Sequence, residues 1–161
     1  MAERGVANQM VWLRFALFLV CLATASGCTS GQRPFREVQF CLANVREIPS
    51  FIKMMNSVSQ EYGMNFVDRS TESEMELRSL KISKFPIPSP VINISATRSH
   101  DFSFGATNIG LPTTLVLIGF NGNDITEART FADAVVKKIS LRWRIHDVAT
   151  ERTILPLSNC N

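Results

Sequence analysis

Residues 113–139 read TTLVLIGFNGNDITEARTFADAVVKKI. Thr113 to Phe120 has the composition of a buried strand, with Leu115 to Ile118 uninterrupted by any polar side chain. Asn121-Gly122-Asn123 is turn chemistry, and Asp124 with Glu127 has the spacing of a capping box, in which each end of the first turn satisfies an orphan backbone donor. Ile125, Ala128, Phe131, Ala132, Val135, Val136 and Ile139 then fall on one helical stripe, with Lys137 and Lys138 placed to suit the negative end of the helix dipole. Strand, turn and amphipathic helix in immediate succession define a helix laid over a sheet.

The same logic extends outward in both directions. Leu141, Trp143 and Ile145 alternate with Arg142, Arg144 and His146, which predicts a final strand running on from the helix, paired with residues 153–157 across a turn near 147–152. Ile92, Ile94 and Ala96 followed by Phe102, Phe104 and Ala106 predict a hairpin turning at 98–101. Val38, Phe40 and Leu42 predict a first strand from about Arg36, and Ile48, Phe51, Ile52, Met55, Val58 and Tyr62 a helix with Pro49 in its first turn and Gly63 as terminator. Met64 to Val67 reads as a short strand. Residues 71–85 fit two patterns: Thr71 with Glu74 resembles a capping box, while Glu72, Glu74, Glu76 and Arg78 alternate as on a strand, and strand is the reading preferred. Pro86, Pro88 and Pro90 enforce an extended connector behind it. The expected fold is a two-layer α+β sandwich, a mostly antiparallel sheet with two main helices in a split βαβ, ferredoxin-like arrangement with an extra hairpin.

Ahead of this domain lie Arg4 and Arg14, an apolar run from Phe15, and then Ala25-Ser26-Gly27-Cys28. A charged start, an apolar middle and small residues at the close form a secretory signal, and the uncharged stretch of about 13 residues is short of the roughly 20 a membrane span needs. The closing tetrad resembles the lipobox of bacterial lipoproteins, with Ala25 standing where leucine is commonest. That resemblance implies cleavage before Cys28 and a diacylglycerol on its sulfur. Thr29 follows, where an Asp would signal retention at the inner membrane, so the resemblance further implies the inner leaflet of the outer membrane, facing the periplasm. In a host with a single membrane it implies a cell-surface anchor. The acyl chains exceed the two signals that stable membrane attachment requires, so the protein should stay with the membrane in high salt. The chain is thus expected to divide into a cleaved signal peptide (1–27), a lipidated tether (28–35) and a single domain (36–161).

Taking Arg4, Arg14 and Glu3 away from 17 basic and 14 acidic residues lowers the formal charge from +3 to +2, a balance that argues against nucleic acid as partner. Cys41 and Cys160 are the cysteines left in the domain, and an oxidising compartment predicts that they pair. The closed loop would then contribute about 4 kcal/mol through the unfolded chain.

Residues able to carry chemistry are few. Ser99-His100-Asp101 cannot form a triad as consecutive residues, because neighbours along a strand or turn point in different directions. His100-Asp101 and His146-Asp147 offer metal-binding atom types without ligand spacing, so no metal is expected. Gly119 to Asn123 lacks the spacing and the Lys of a phosphate loop, and Asp124 would repel the phosphate. Glu72, Glu74 and Glu76 read as an exposed acidic ladder, and Asn93-Ile94-Ser95 as an incidental sequon.

Lys137, Lys138, Arg142, Arg144 and His146 stand together without an acid between them, as a basic edge with Trp143 turned into the core. Such an edge suits an acidic protein surface or anionic head groups. The sequence therefore predicts a lipid-anchored protein with no enzymatic activity and no cofactor, binding another protein, with an immunity or inhibitor role against an envelope-directed toxin or hydrolase as its most concrete form. The alternative is a structural accessory of an envelope assembly, secretion or transport machine.

Overall fold

The computed structural model describes residues 34–80, 89–98, 102–109, 112–123, 125–148, 157 and 160. Among them β1 (Arg36–Cys41) leads through a 3-10 turn (Val45–Glu47) into α1 (Ile48–Glu61), followed by β2 (Asn65–Asp68) and α2 (Ser70–Ser79). Next come β3 (Asn93–Arg98), β4 (Phe102–Thr107), β5 (Leu115–Gly122), α3 (Ile125–Ser140) and β6 (Ile145–Val148). The six strands form one sheet in the order β2-β3-β4-β5-β1-β6, antiparallel at every junction. Within it, β6-β1-β5-β4 is the split βαβ arrangement. The first crossover, through α1, reaches the far edge at β2 before α2 and β3 bring the chain back to β4. This is the expected α+β sandwich, with β3 as the extra half of the hairpin.

One face of the sheet carries the core. Register places Val38 opposite Ile118 and Ala106 opposite Ile118 from the other side, so alternate residues of neighbouring strands stack on a common face. On that face Phe40 meets Phe51 of α1, while Phe102, Phe104 and Phe120 all pack on Phe131 of α3. Five fully buried phenylalanines, with Met55, Val135 and Ile139, fill the space between the layers. Of the stripe predicted for residues 125–139, Ala128, Phe131, Ala132, Val135 and Ile139 are buried, Val136 is half-buried, and Ile125, at the first turn, is exposed.

Gly63 ends α1 at a positive φ of 62°, which glycine adopts without a Cβ penalty, and hands the chain to β2. The disulfide joins Cys41 to Cys160 with Cα atoms 5.3 Å apart. Val148 lies opposite Glu37, at the start of β1, whereas the disulfide sets Cys160 beside Cys41, at its end.

Two expectations are overturned. Residues 70–79 form a helix, not a strand. Asp68 Oδ1 accepts from the Ser70 amide at 2.9 Å at its start, and Arg69–Glu72 and Arg78–Glu74 pair at helical spacing. The final strand begins at Ile145 rather than Leu141, because α3 runs to Ser140 and the amides of Arg142 and Trp143 both donate to Ile139 O at 3.0 Å, turning the chain first. β6 pairs with β1 along 145–148, and residues 153–156, the expected partner, lie outside the described residues.

Candidate partner-binding surface

Two turns meet beside the end of β1. Asn44 Oδ1 accepts from the Arg46 amide at 2.9 Å and fixes the 3-10 turn. Glu47 then reaches back: its Oε2 accepts from the Ala43 amide at 2.9 Å and from Trp143 Nε1 at 2.8 Å. Trp143, only 7% exposed, stacks on Phe40 with ring centroids 5.5 Å apart and meets Phe51 edge-on. The indole therefore has an apolar body in the core and a polar tip that clasps the neighbouring turn. Trp143 Nε1–H and the Ala43 amide hold the Glu47 carboxyl below the usual carboxylate range, with Arg142 adding positive potential against the smaller cost of burial.

This clasp turns apolar side chains outward. Leu141 is 78% exposed and Val45 40% exposed, each next in chain to an exposed arginine, Arg142 and Arg46. Arg144 and Lys137 are exposed beside them. None of these four cations is in an ion pair with a described acid. Two exposed aliphatic groups and four exposed cations thus belong to the two chain segments that the Glu47–Trp143 bond joins.

The structure redistributes the basic edge read from the sequence. Lys138 Nζ donates to Glu61 Oε1 at 2.8 Å and ties α3 to α1. His146 lies opposite Gln39 in the register, one residue out of phase with core-facing Ile145, so it belongs to the other face of the sheet. Arg142 and Arg144 stand on the turn and the lead-in to β6 rather than on a strand, and Leu141, expected in the core, is outside. Val45 and Arg46 went unnoticed in the sequence, since nothing local links residue 46 to residue 142; the Glu47–Trp143 bond does so only in the fold.

Other candidates carry less. Ser99, His100, Asp101 and Asp124 lie outside the described residues. Among the described residues no three His, Cys, Asp or Glu side chains cluster as metal ligands would. A cleft of about 850 Å³ opens between α1 and α2, with Ile52, Phe66, Met75 and Val91 among its lining. Its Glu74, side chain 23% exposed, is already engaged by Arg78 Nη2 at 2.6 Å, Ser89 Oγ at 3.0 Å and the Val91 amide at 3.3 Å. Those donors, Arg78 foremost, hold its carboxyl below the usual range. Glu74 and Arg78 are thus spent on one another.

The sequence matches no protein-family model and no curated protein.

Proposed function

We propose that this protein is a non-enzymatic, lipid-anchored protein of the bacterial envelope, held at the outer membrane's inner leaflet, that binds another protein. Within that class, an immunity or inhibitor lipoprotein acting on an envelope-directed toxin or hydrolase is the form the features favour. The observation that carries the binding role is that the two segments joined by the Glu47–Trp143 bond expose Val45 and Leu141 together with Arg46, Arg142, Arg144 and Lys137. Protein interfaces combine an apolar centre with a polar rim, and arginine is enriched in them. The Cys41–Cys160 disulfide suits an oxidising compartment, and Cys28 at the end of the lipobox-like tetrad supplies the address.

Address and binding are tested separately. Cys28→Ala should abolish radiolabelled palmitate incorporation and release the protein from the membrane fraction; a variant that still labels and pellets sinks the anchor. A photoreactive residue in place of Leu141 should give a discrete protein adduct in the intact envelope. Arg142→Glu with Arg144→Glu should remove that adduct while leaving the melting temperature near wild type, and an adduct that survives the double substitution refutes the surface.

A further inference from the structure

Among the described strands β2 forms one edge of the sheet and is bonded to β3 alone. Register sets Asn65 opposite Thr97 and Val67 opposite Ser95, and one step further the Arg69 amide donates to Asn93 O at 2.8 Å. Directly bonded pairs recur at every second residue of an antiparallel ladder. Asn65, Val67 and Arg69 therefore turn their backbone groups toward β3, whereas Phe66 and Asp68 turn theirs out of the sheet, where no described strand takes them up. Natural edges are commonly blunted by Lys, Pro or a bulge. β2 reads Asn-Phe-Val-Asp and pairs without interruption, so none of these devices closes it.

Phe66 and Asp68 also line the cleft between α1 and α2, whose apolar lining further includes Ile52, Val91 and Met75, the last 61% exposed. From this coincidence of open edge and cleft we propose that β2 receives an extended segment of a partner protein as a further strand, with every second side chain of that segment set into the cleft. The outward groups of Phe66 and Asp68 lie about 7 Å apart along the strand, the repeat at which any extended backbone offers its own donor and acceptor. A strand added there continues the pleat, so its alternate side chains fall on the helix-bearing face beside Phe66, which packs on the core. Recognition of this kind takes affinity from the main chain and selectivity from the pocket. The charges at the cleft select apolar, uncharged side chains: Lys53 and Arg78 are matched in number by Asp68 and Glu74, and Arg78 and Glu74 are bonded to each other. Met75, unbranched and adaptable, is suited to cover the apolar group that enters. The site is independent of the Val45–Leu141 surface and of the lipid anchor.

Amide exchange of the full chain in detergent micelles, read residue by residue by nuclear magnetic resonance, tests this. The probe is a capped peptide alternating threonine and leucine. Its control is the same peptide with every backbone nitrogen methylated, which keeps the side chains and removes the ladder donors. In the free chain the Phe66 and Asp68 amides should exchange fast. With the peptide at millimolar concentration they should slow by about tenfold or more, while the amides of Leu141 and Arg142 keep their rates. The methylated peptide should protect neither. Met75→Lys should weaken the parent peptide by about threefold or more, because it replaces an apolar contact with an amine. Equal protection by the methylated peptide, or none by the parent, overturns the proposal. So does a Met75→Lys variant that binds the peptide as the wild type does. Protection already present in the free chain overturns it as well: at a level independent of protein concentration it makes the chain's own residues the occupant, and rising with concentration it makes a second copy the occupant.

Discussion

Helices α3 and α2 are both held against the same sheet, but by opposite means. α3 buries Ala128, Phe131, Ala132, Val135 and Ile139. α2 buries only Ser73, and its attachments are polar: Ser70 Oγ accepts from the Asn93 amide at 3.1 Å, Ser73 Oγ accepts from Asn93 Nδ2 at 2.6 Å, and Glu74 takes the Val91 amide. Apolar burial is non-directional and scales with area, so α3 is secured by many small contributions spread along its length. Hydrogen bonds exchange protein partners for water and return little net free energy, so α2 depends on a few atoms being in place. The corner around α2 should therefore be the part of the domain that opens first.

Substitutions can break this contrast at either end. The largest effect is expected from Phe131→Ala, which removes the ring on which Tyr62, Phe102, Phe104 and Phe120 converge. It should cost about 3–5 kcal/mol in denaturant unfolding. A loss below about 1 kcal/mol would mean the core is not centred there. Glu74→Ala should cost less, about 1–3 kcal/mol, because it strands the amide of buried Val91. Its signature is local: amide exchange should rise in residues 70–79 while α3 stays protected.

Acidification sharpens the same distinction without mutation. The folded-state pKa of Glu74 is depressed by Arg78, Ser89 and Val91, and that of Glu47 by Trp143 and Ala43. A depressed carboxylate contributes stability above its ordinary pKa and loses it as the pH falls through the folded value. Below about pH 4 the protections of α2 and of the 3-10 turn should therefore fall before those of α3, once the intrinsic pH dependence of exchange is removed. Glu74→Gln should flatten the α2 response while leaving that at Glu47. The smallest effect is expected for Met75→Lys: the side chain is largely exposed on α2, so stability should move by no more than about 0.5 kcal/mol.

The contrast also explains what could be read in advance. Apolar periodicity made α1, α3, the β3–β4 hairpin and β5 legible, because the pattern that identifies each element is the pattern that buries it. α2 has no such stripe. Glutamates at 72, 74 and 76 fit alternation as readily as a helix, and the deciding contacts, Asp68 to the Ser70 amide and Glu74 to Arg78 and Val91, require the sheet to exist first. Residues 141–146 misled for a related reason. Their alternation is real, but the helix C-terminus at Ser140 and the turn onto Ile139 O consume its first half, so Leu141 emerges outward and only Trp143 and Ile145 keep their expected side. The basic surface was legible in half: Lys137, Arg142 and Arg144 are sequence neighbours, whereas Val45 and Arg46 join them through a tryptophan nearly a hundred residues away.

The position of β1 bears on how the chain matures. β1, the first strand among the described residues, is an interior strand of the finished sheet, with Val38 set between Ile118 and Asp147, residues from the far part of the chain. While the C-terminal third is still unmade, β1 has neither neighbour and the aromatic cluster around Phe131 has no centre. Contacts so distant in sequence close late. A polypeptide emerging from its N-terminus would thus stay pliable through most of its synthesis, and would gain its stable form only once nearly all of it had been made.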